Sequence, residues 1–233
     1  MNDIQVVLTE QLASPAIADA LPKEFNKFRF VQNCLTLIND SPDLKKYTQA
    51  QIVSGLLKGA YLGLDFYNKE CYLIPYGQIL KFSIDYKGLK KLVMKYSVVP
   101  VKDIGAWIVR EGDEYESGLN GNEPYVNLRP KPFNDGKILG AVAICFYKDG
   151  SIKYEEMSKA QLDAAKRLSQ AQTGTAWKFF DSEMYKKTAL RRLCKNITLD
   201  FENLNQMTLF KEDGETINDN HETVIVEEEN PFT

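Results

Sequence analysis

Between Trp177 and Lys195 the chain sets Lys187, Arg191 and Lys195 four residues apart, with Lys186 and Arg192 beside them. On a helix a four-residue step returns to nearly the same face, and Met184, Leu190, Leu193 and Ile197 supply an apolar face. A row of cations on one face can neutralise phosphates, each contact releasing roughly 0.7 condensed counterions from a single strand. Lys178 adds a cation next to Trp177, and an exposed indole can stack on a base for about 1–3 kcal/mol. The competing account is a solvated basic face with Trp177 buried. A second tract, Tyr76 to Lys91, interleaves Lys81, Lys87, Lys90 and Lys91 with Tyr76 and Tyr86. Aromatics and cations together suit unpaired strands, whose bases expose their π-faces. Here the competing account makes Phe82, Ile84 and Tyr86 core and the lysines a solubilising surface.

Covalent chemistry has weaker support. Asp65, Asp85 and Lys87 imitate a nuclease pattern in which carboxylates hold Mg²⁺ and a lysine stabilises charge. Three-residue matches arise often by chance. Alternation along Leu80–Tyr86 also turns Asp85 away from Leu80, Phe82 and Ile84, and solvent exposure is the simpler account. No G-x-x-x-x-G-K-[ST] is present, so a P-loop is unsupported. Cys34, Cys71, Cys145 and Cys194 lie far apart among mainly apolar neighbours, which fits buried reduced thiols and not metal ligands. The single histidine, His221, falls in a polar stretch. No catalytic residue, metal or cofactor is expected.

Charge is unevenly spread over the 233 residues. From Phe201 onward nine acidic residues meet Lys211 alone, a balance of −8, which leaves +5 on the preceding body. The span Lys153–Lys195 holds ten basic and five acidic residues, a surplus equal to that of the whole body. No apolar run approaches the roughly 18 residues that cross a bilayer. The opening Met1-Asn2-Asp3-Ile4 lacks a secretory pattern. The expected location is the cytoplasm, with no membrane partner.

The elements that must position these residues can be read from period and punctuation. Residues 1–22, ending at Leu21-Pro22, read as an N-terminal arm. Phe28, Val31, Leu35 and Ile38 predict a helix from about Glu24 to Leu37. Thr48 with Gln51 makes a capping box before a second helix, which Gly63 ends in a left-handed cap. Tyr72–Pro75 and Leu80–Tyr86 read as strands joined at Tyr76-Gly77-Gln78, with Pro75 at an end or edge. Lys87–Tyr96 is helical. Further strands are expected over Val98–Val109, Tyr125–Arg129 and Ile138–Tyr147, with Lys148-Asp149-Gly150 turning into Ile152–Tyr154. Asn120–Lys137 reads as a long excursion around one short strand. Ser158 with Gln161 caps another helix, and a last helix runs from about Asp181 towards Phe201. The acidic stretch 201–233 is nearly aperiodic and is expected to be disordered. The result is one α+β domain over 23–200, a mainly antiparallel sheet flanked by N-terminal and C-terminal helices.

Several short runs occur in an order that resembles a known family. They are Ala60-Tyr61-Leu62-Gly63-Leu64, Tyr72-Leu73-Ile74-Pro75-Tyr76-Gly77 and Ile84-Asp85-Tyr86-Lys87-Gly88-Leu89. Glu111-Gly112-Asp113, Asp149-Gly150, Trp177 and Lys187-Thr188-Ala189-Leu190-Arg191-Arg192-Leu193 follow. Together they resemble the RecT recombinases, phage-type single-strand annealing proteins related to Redβ. The resemblance implies a phage or prophage protein that coats single-stranded DNA, forms homo-oligomeric rings or helical filaments, and anneals complementary strands without ATP. It also implies a partner exonuclease and work beside the host single-strand-binding protein. Lys87, Lys187, Arg191 and Arg192 become the favoured phosphate contacts, with Tyr76, Tyr86 and Trp177 touching bases or sugars. Lys81, Lys178 and Lys195 complete the candidate set.

Overall fold

The computed structural model describes residues 2–169 and 172–218, with side chains described between residues 3 and 213. Helix α1 (Asn2–Ala13) and the short α2 (Pro15–Ala18) precede α3 (Lys27–Asp40). A 3₁₀ turn over Pro42–Lys46 leads to α4 (Gln49–Leu62). Asn26 caps α3 by accepting from the Arg29 N–H at 2.9 Å. The Thr48–Gln51 capping box forms in both directions, and Gly63 closes α4 at φ 66°. The N-terminal arm packs on the body through α1. Leu8 and Leu12, one turn apart, are buried against the α3–α4 pair, with Ile4 and Val7 packed beside them.

Strands β1 (Cys71–Tyr76) and β2 (Ile79–Ile84) form an antiparallel hairpin, followed directly by α5 (Tyr86–Tyr96). Pro75 is tolerated because both strands of a two-stranded ribbon are edges. A three-stranded antiparallel sheet, in order β3-β6-β7, combines β3 (Val101–Arg110), β6 (Ile138–Tyr147) and β7 (Ile152–Ser158). Between β3 and β6 the chain makes a second hairpin, β4 (Glu114–Asn120) with β5 (Glu123–Arg129). The one short strand expected within Asn120–Lys137 is β5, whereas β4, which leads into that stretch and pairs with β5, was not foreseen. Alternation along β6 explains where the layers go. Ala141, Ala143 and Cys145 face the main core, whereas Val142 and Ile144 meet Tyr115, Val126 and Leu128 of the β4–β5 ribbon.

Ser158 and Gln161 form the second capping box, at the start of α6 (Lys159–Leu168). The short α7 (Thr175–Phe179) leads into α8 (Asp181–Lys195), which lies across the main-core face of the three-stranded sheet. The α+β class and the antiparallel pairing are as expected. The helix begun at Asp181 stops at Lys195, and a further helix, α9 (Leu204–Asn218), stands where aperiodic chain was expected. Its buried stripe is Gln206, Leu209, Phe210 and Asp213, half polar and therefore weak as a periodic signal. Residues 219–233, including His221, lie outside the described residues. All four cysteines are buried and unpaired. Among the described residues no helix is long and apolar enough to cross a membrane.

Candidate nucleic-acid interface

The β1–β2 hairpin has two unlike faces. Cys71, Leu73 and Ile84 point into the core, with Leu80 and Phe82 packed against it. The opposite face carries Tyr72, Ile74, Tyr76, Ile79, Lys81 and Ser83, with Tyr72 paired to Ser83, Ile74 to Lys81 and Tyr76 to Ile79. Tyr72, Ile74, Tyr76 and Ile79 are all exposed, Ile79 to 68%. The Lys81 ammonium lies 5.8 Å from the centre of the Tyr76 ring. Two bonds fix the hairpin tip to the start of α4. The Tyr47 hydroxyl donates to the Gly77 carbonyl at 2.9 Å, and Gln51 Nε2 donates to the Gln78 carbonyl at 2.9 Å.

The chain leaves β2 through Asp85, whose carboxylate caps α5 by accepting from the Lys87 N–H at 3.3 Å. Tyr86 opens α5 half-buried, and Lys187 of α8 sits 5.1 Å from its ring centre. Burial raises the Tyr72 phenol pKa, with Asp85 and Tyr86 adding to it, so Tyr72 shares this neighbourhood. Lys87 is exposed. Lys90 and Lys91 are engaged elsewhere: Lys90 pairs with Asp103 at 3.1 Å, and Lys91 bridges Glu70 and the Gly63 carbonyl. Gly88 is forced by crowding, since a Cβ there would lie 2.1 Å from the Glu70 carbonyl oxygen.

Along α8 the three cations at four-residue spacing do share a face, but their circumstances differ. Lys187 reaches Tyr86. Arg191 donates from Nη1 to the Ile84 carbonyl and from Nη2 to Asp213 of α9 at 3.1 Å. Lys195 pairs with the same carboxylate at 3.2 Å and donates to the Phe210 carbonyl at 2.5 Å. Burial presses the Lys195 ammonium below its ordinary pKa, while Asp213 pulls it back. Arg192 lies on another side of α8 and pairs with Glu155 of β7 at 2.7 Å.

Trp177 is a correction. The expected stacking platform is only 4% exposed; its ring packs edge-on against Tyr185, and its Nε1 donates to Ser169. Lys178 is exposed beside Phe179, whose ring centre is 5.3 Å from its ammonium. Phe179 and Phe180 are themselves exposed. Asp65 is buried, and its carboxylate accepts from Asn33 Nδ2, from the Tyr67 N–H and from Asn68, an arrangement that shapes the turn after α4. Among the described residues no group of three His, Cys, Asp or Glu side chains is arranged to hold a metal.

Of the sequence-derived candidates, the fold gathers Tyr76 and Lys81 on the hairpin, and Tyr86, Lys87 and Lys187 at the junction of α5 with α8. Arg191 and Lys195 continue the strip under α9. A model of the RecT family matches residues 28–226. The chain belongs to the RecT family. It is similar to Protein RecT of Escherichia coli (strain K12), 25% identical over 237 residues that cover 97% of this chain and 87% of that protein. The RecT match begins within α3 and takes in every candidate from Tyr76 to Lys195. Tyr72, Ile74, Ile79 and Ser83 of this RecT-family chain were missed as candidates. The alternation Tyr72-Leu73-Ile74 was the available signal, because it puts two large side chains on one face of a strand.

Proposed function

We propose that this chain binds single-stranded DNA along the strip from the outer face of the β1–β2 hairpin to Lys187, and pairs complementary strands within a homo-oligomer. The observation that carries the reading is the pairing of cation with aromatic ring at both ends of the strip, Lys81 with Tyr76 and Lys187 with Tyr86. A ring offers a base its π-face while the neighbouring ammonium meets the phosphate, with no demand on sequence. Annealing needs backbones gripped and base edges left free to pair, so phosphate contacts must dominate. Membership of the RecT family supports a role in phage-type recombination. Under this reading the protein works without nucleotide, metal or covalent step in the cytoplasm of a bacterial host. A phage exonuclease supplies the strand, and the host single-strand-binding protein shares it.

The test is pairing of two complementary fluorescent oligonucleotides in EDTA without nucleotide. Faster pairing with both strands intact supports annealing. Binding that slows pairing would make the protein a coating protein, and shortened strands in Mg²⁺ would reopen the nuclease reading of Asp65, Asp85 and Lys87.

A further inference from the structure

Four donors of four chemical kinds converge at the far end of the strip. They are the Ile84 backbone N–H, the Ser83 hydroxyl, the Arg191 guanidinium and the Lys195 ammonium. The group they hold is the Asp213 carboxylate. One of its oxygens accepts from Ile84 at 2.8 Å and Ser83 at 3.4 Å. The other accepts from Arg191 at 3.1 Å and faces Lys195 at 3.2 Å. The Asp213 side chain is 2% exposed. A backbone N–H, a hydroxyl and two cations around one anion is the donor set that grips a phosphodiester, and charge-assisted bonds of this kind are the strong ones. Two cations against one carboxylate leave a surplus positive charge.

The site is continuous with the proposed interface. Ser83 follows Lys81 by two residues on the same face of β2, and Arg191 follows Lys187 by one turn of α8. The helix that fills it is attached by one buried stripe and by an exposed ion pair of Glu212 with Lys58 at 3.5 Å. Gln206 donates to the Tyr61 carbonyl and to the Tyr96 hydroxyl, and Leu209 and Phe210 are buried. Leu204 and Met207 of the same helix stay exposed.

From this geometry we infer that the Ser83–Ile84–Arg191–Lys195 pocket is a phosphodiester site, that Asp213 occupies it in the DNA-free chain, and that α9 gives way when a strand binds. This rests on the reading of the adjacent strip as the single-strand interface. Exchange of carboxylate for phosphate would extend the footprint by two cations without new charge being made.

Two measurements on the full chain test it. Hydrogen exchange with and without oligothymidylate reads the α9 amides directly; faster exchange over Met207–Asp213 together with slower exchange in α8 is the expected result. Asp213→Asn keeps shape and removes the negative charge that opposes both cations. It should bind oligothymidylate about tenfold more tightly at low salt, with a salt slope close to the parent's, because the bound strand meets both cations in either chain. Arg191→Ala in that background should remove much of the gain. Bound DNA with unchanged or stronger protection of α9 would overturn the exchange while leaving the interface reading intact. Absence of any binding would overturn both. The exchange measurement on the unaltered protein decides the matter even if Asp213→Asn proves unstable.

Discussion

Lys187 is ordered before any ligand arrives. Its ammonium lies over the Tyr86 ring, so under the proposed function less side-chain freedom would be lost on gripping a phosphate. Lys187→Ala should therefore weaken oligothymidylate binding and flatten the salt slope by about 0.7. Tyr86→Leu should weaken binding with the slope unchanged, because the cation remains. Anisotropy titrations over a salt series separate the two, and equal slopes for Lys187→Ala and the parent chain would remove Lys187 from the phosphate contacts. A second residue-scale prediction concerns acid stability. The Asp163 carboxylate is held below the ordinary range, first by the Lys159 ammonium and then by the Tyr185 hydroxyl. A lowered native pKa means the unfolded chain takes up the proton first, so this contribution is present above about pH 4 and is lost as pH falls through the native value. Asp163→Asn should make the acid side of the stability curve shallower, as read by denaturant melts from neutral to acid pH.

At the scale of elements, Gly88 shows how two effects of opposite sign are decided. Helix propensity favours alanine over glycine by about 1 kcal/mol. The new Cβ, however, would sit 2.1 Å from a backbone oxygen that no rotamer change can move aside. Gly88→Ala should lose about 3 kcal/mol, the upper end of overpacking costs, and a urea melt as stable as the parent's would show that α5 can slide off the Glu70 loop. Thr48→Ala and Ser158→Ala should each cost about 1 kcal/mol through the lost caps. Those caps were legible because they depend on residues three apart, and the Gly63 stop and the turn at Gly77 because each rests on one glycine at positive φ. What escaped reading had weak or non-local signals. The β4 strand buries little of itself and pairs only with β5, and α9 docks through Gln206 and Asp213 as much as through Leu209 and Phe210. At the candidate interface the interleaving of Tyr76, Lys81, Tyr86 and Lys87 was visible. The partner of Arg191 and Lys195 was not, since Asp213 meets Ile84 across 129 residues of chain. An exposed Ile79 and a buried one also look the same in sequence, because apolar residues are common on surfaces.

Over the whole molecule, a body of +5 carries a C-terminal stretch of −8. Under the proposed function, long-range attraction to a polyanion is therefore modest, and affinity would come from short-range grip on the basic strip. Engagement of Lys81, Lys87 and Lys187 alone predicts a log–log salt slope of about −2 per protomer, whereas recruitment of Arg191 and Lys195 predicts about −3.5. The measured slope thus reports how much of the strip a bound strand covers. Assembly on the strand should appear as a rise in scattering mass on adding oligothymidylate; a mass of one protomer per strand at saturation would contradict the homo-oligomer.

The four buried cysteines have a use unrelated to nucleic acid. They fall one each in α3, β1, β6 and α8, and burial pushes every thiol upward, Cys194 to about 12. Such thiols stay unreactive towards alkylating reagents until their surroundings open. Pulsed alkylation in rising urea, with each peptide weighed afterwards, would rank the order in which the N-terminal helices, the hairpin, the three-stranded sheet and α8 come apart. The chain carries its own unfolding reporters, and no label has to be introduced to read them.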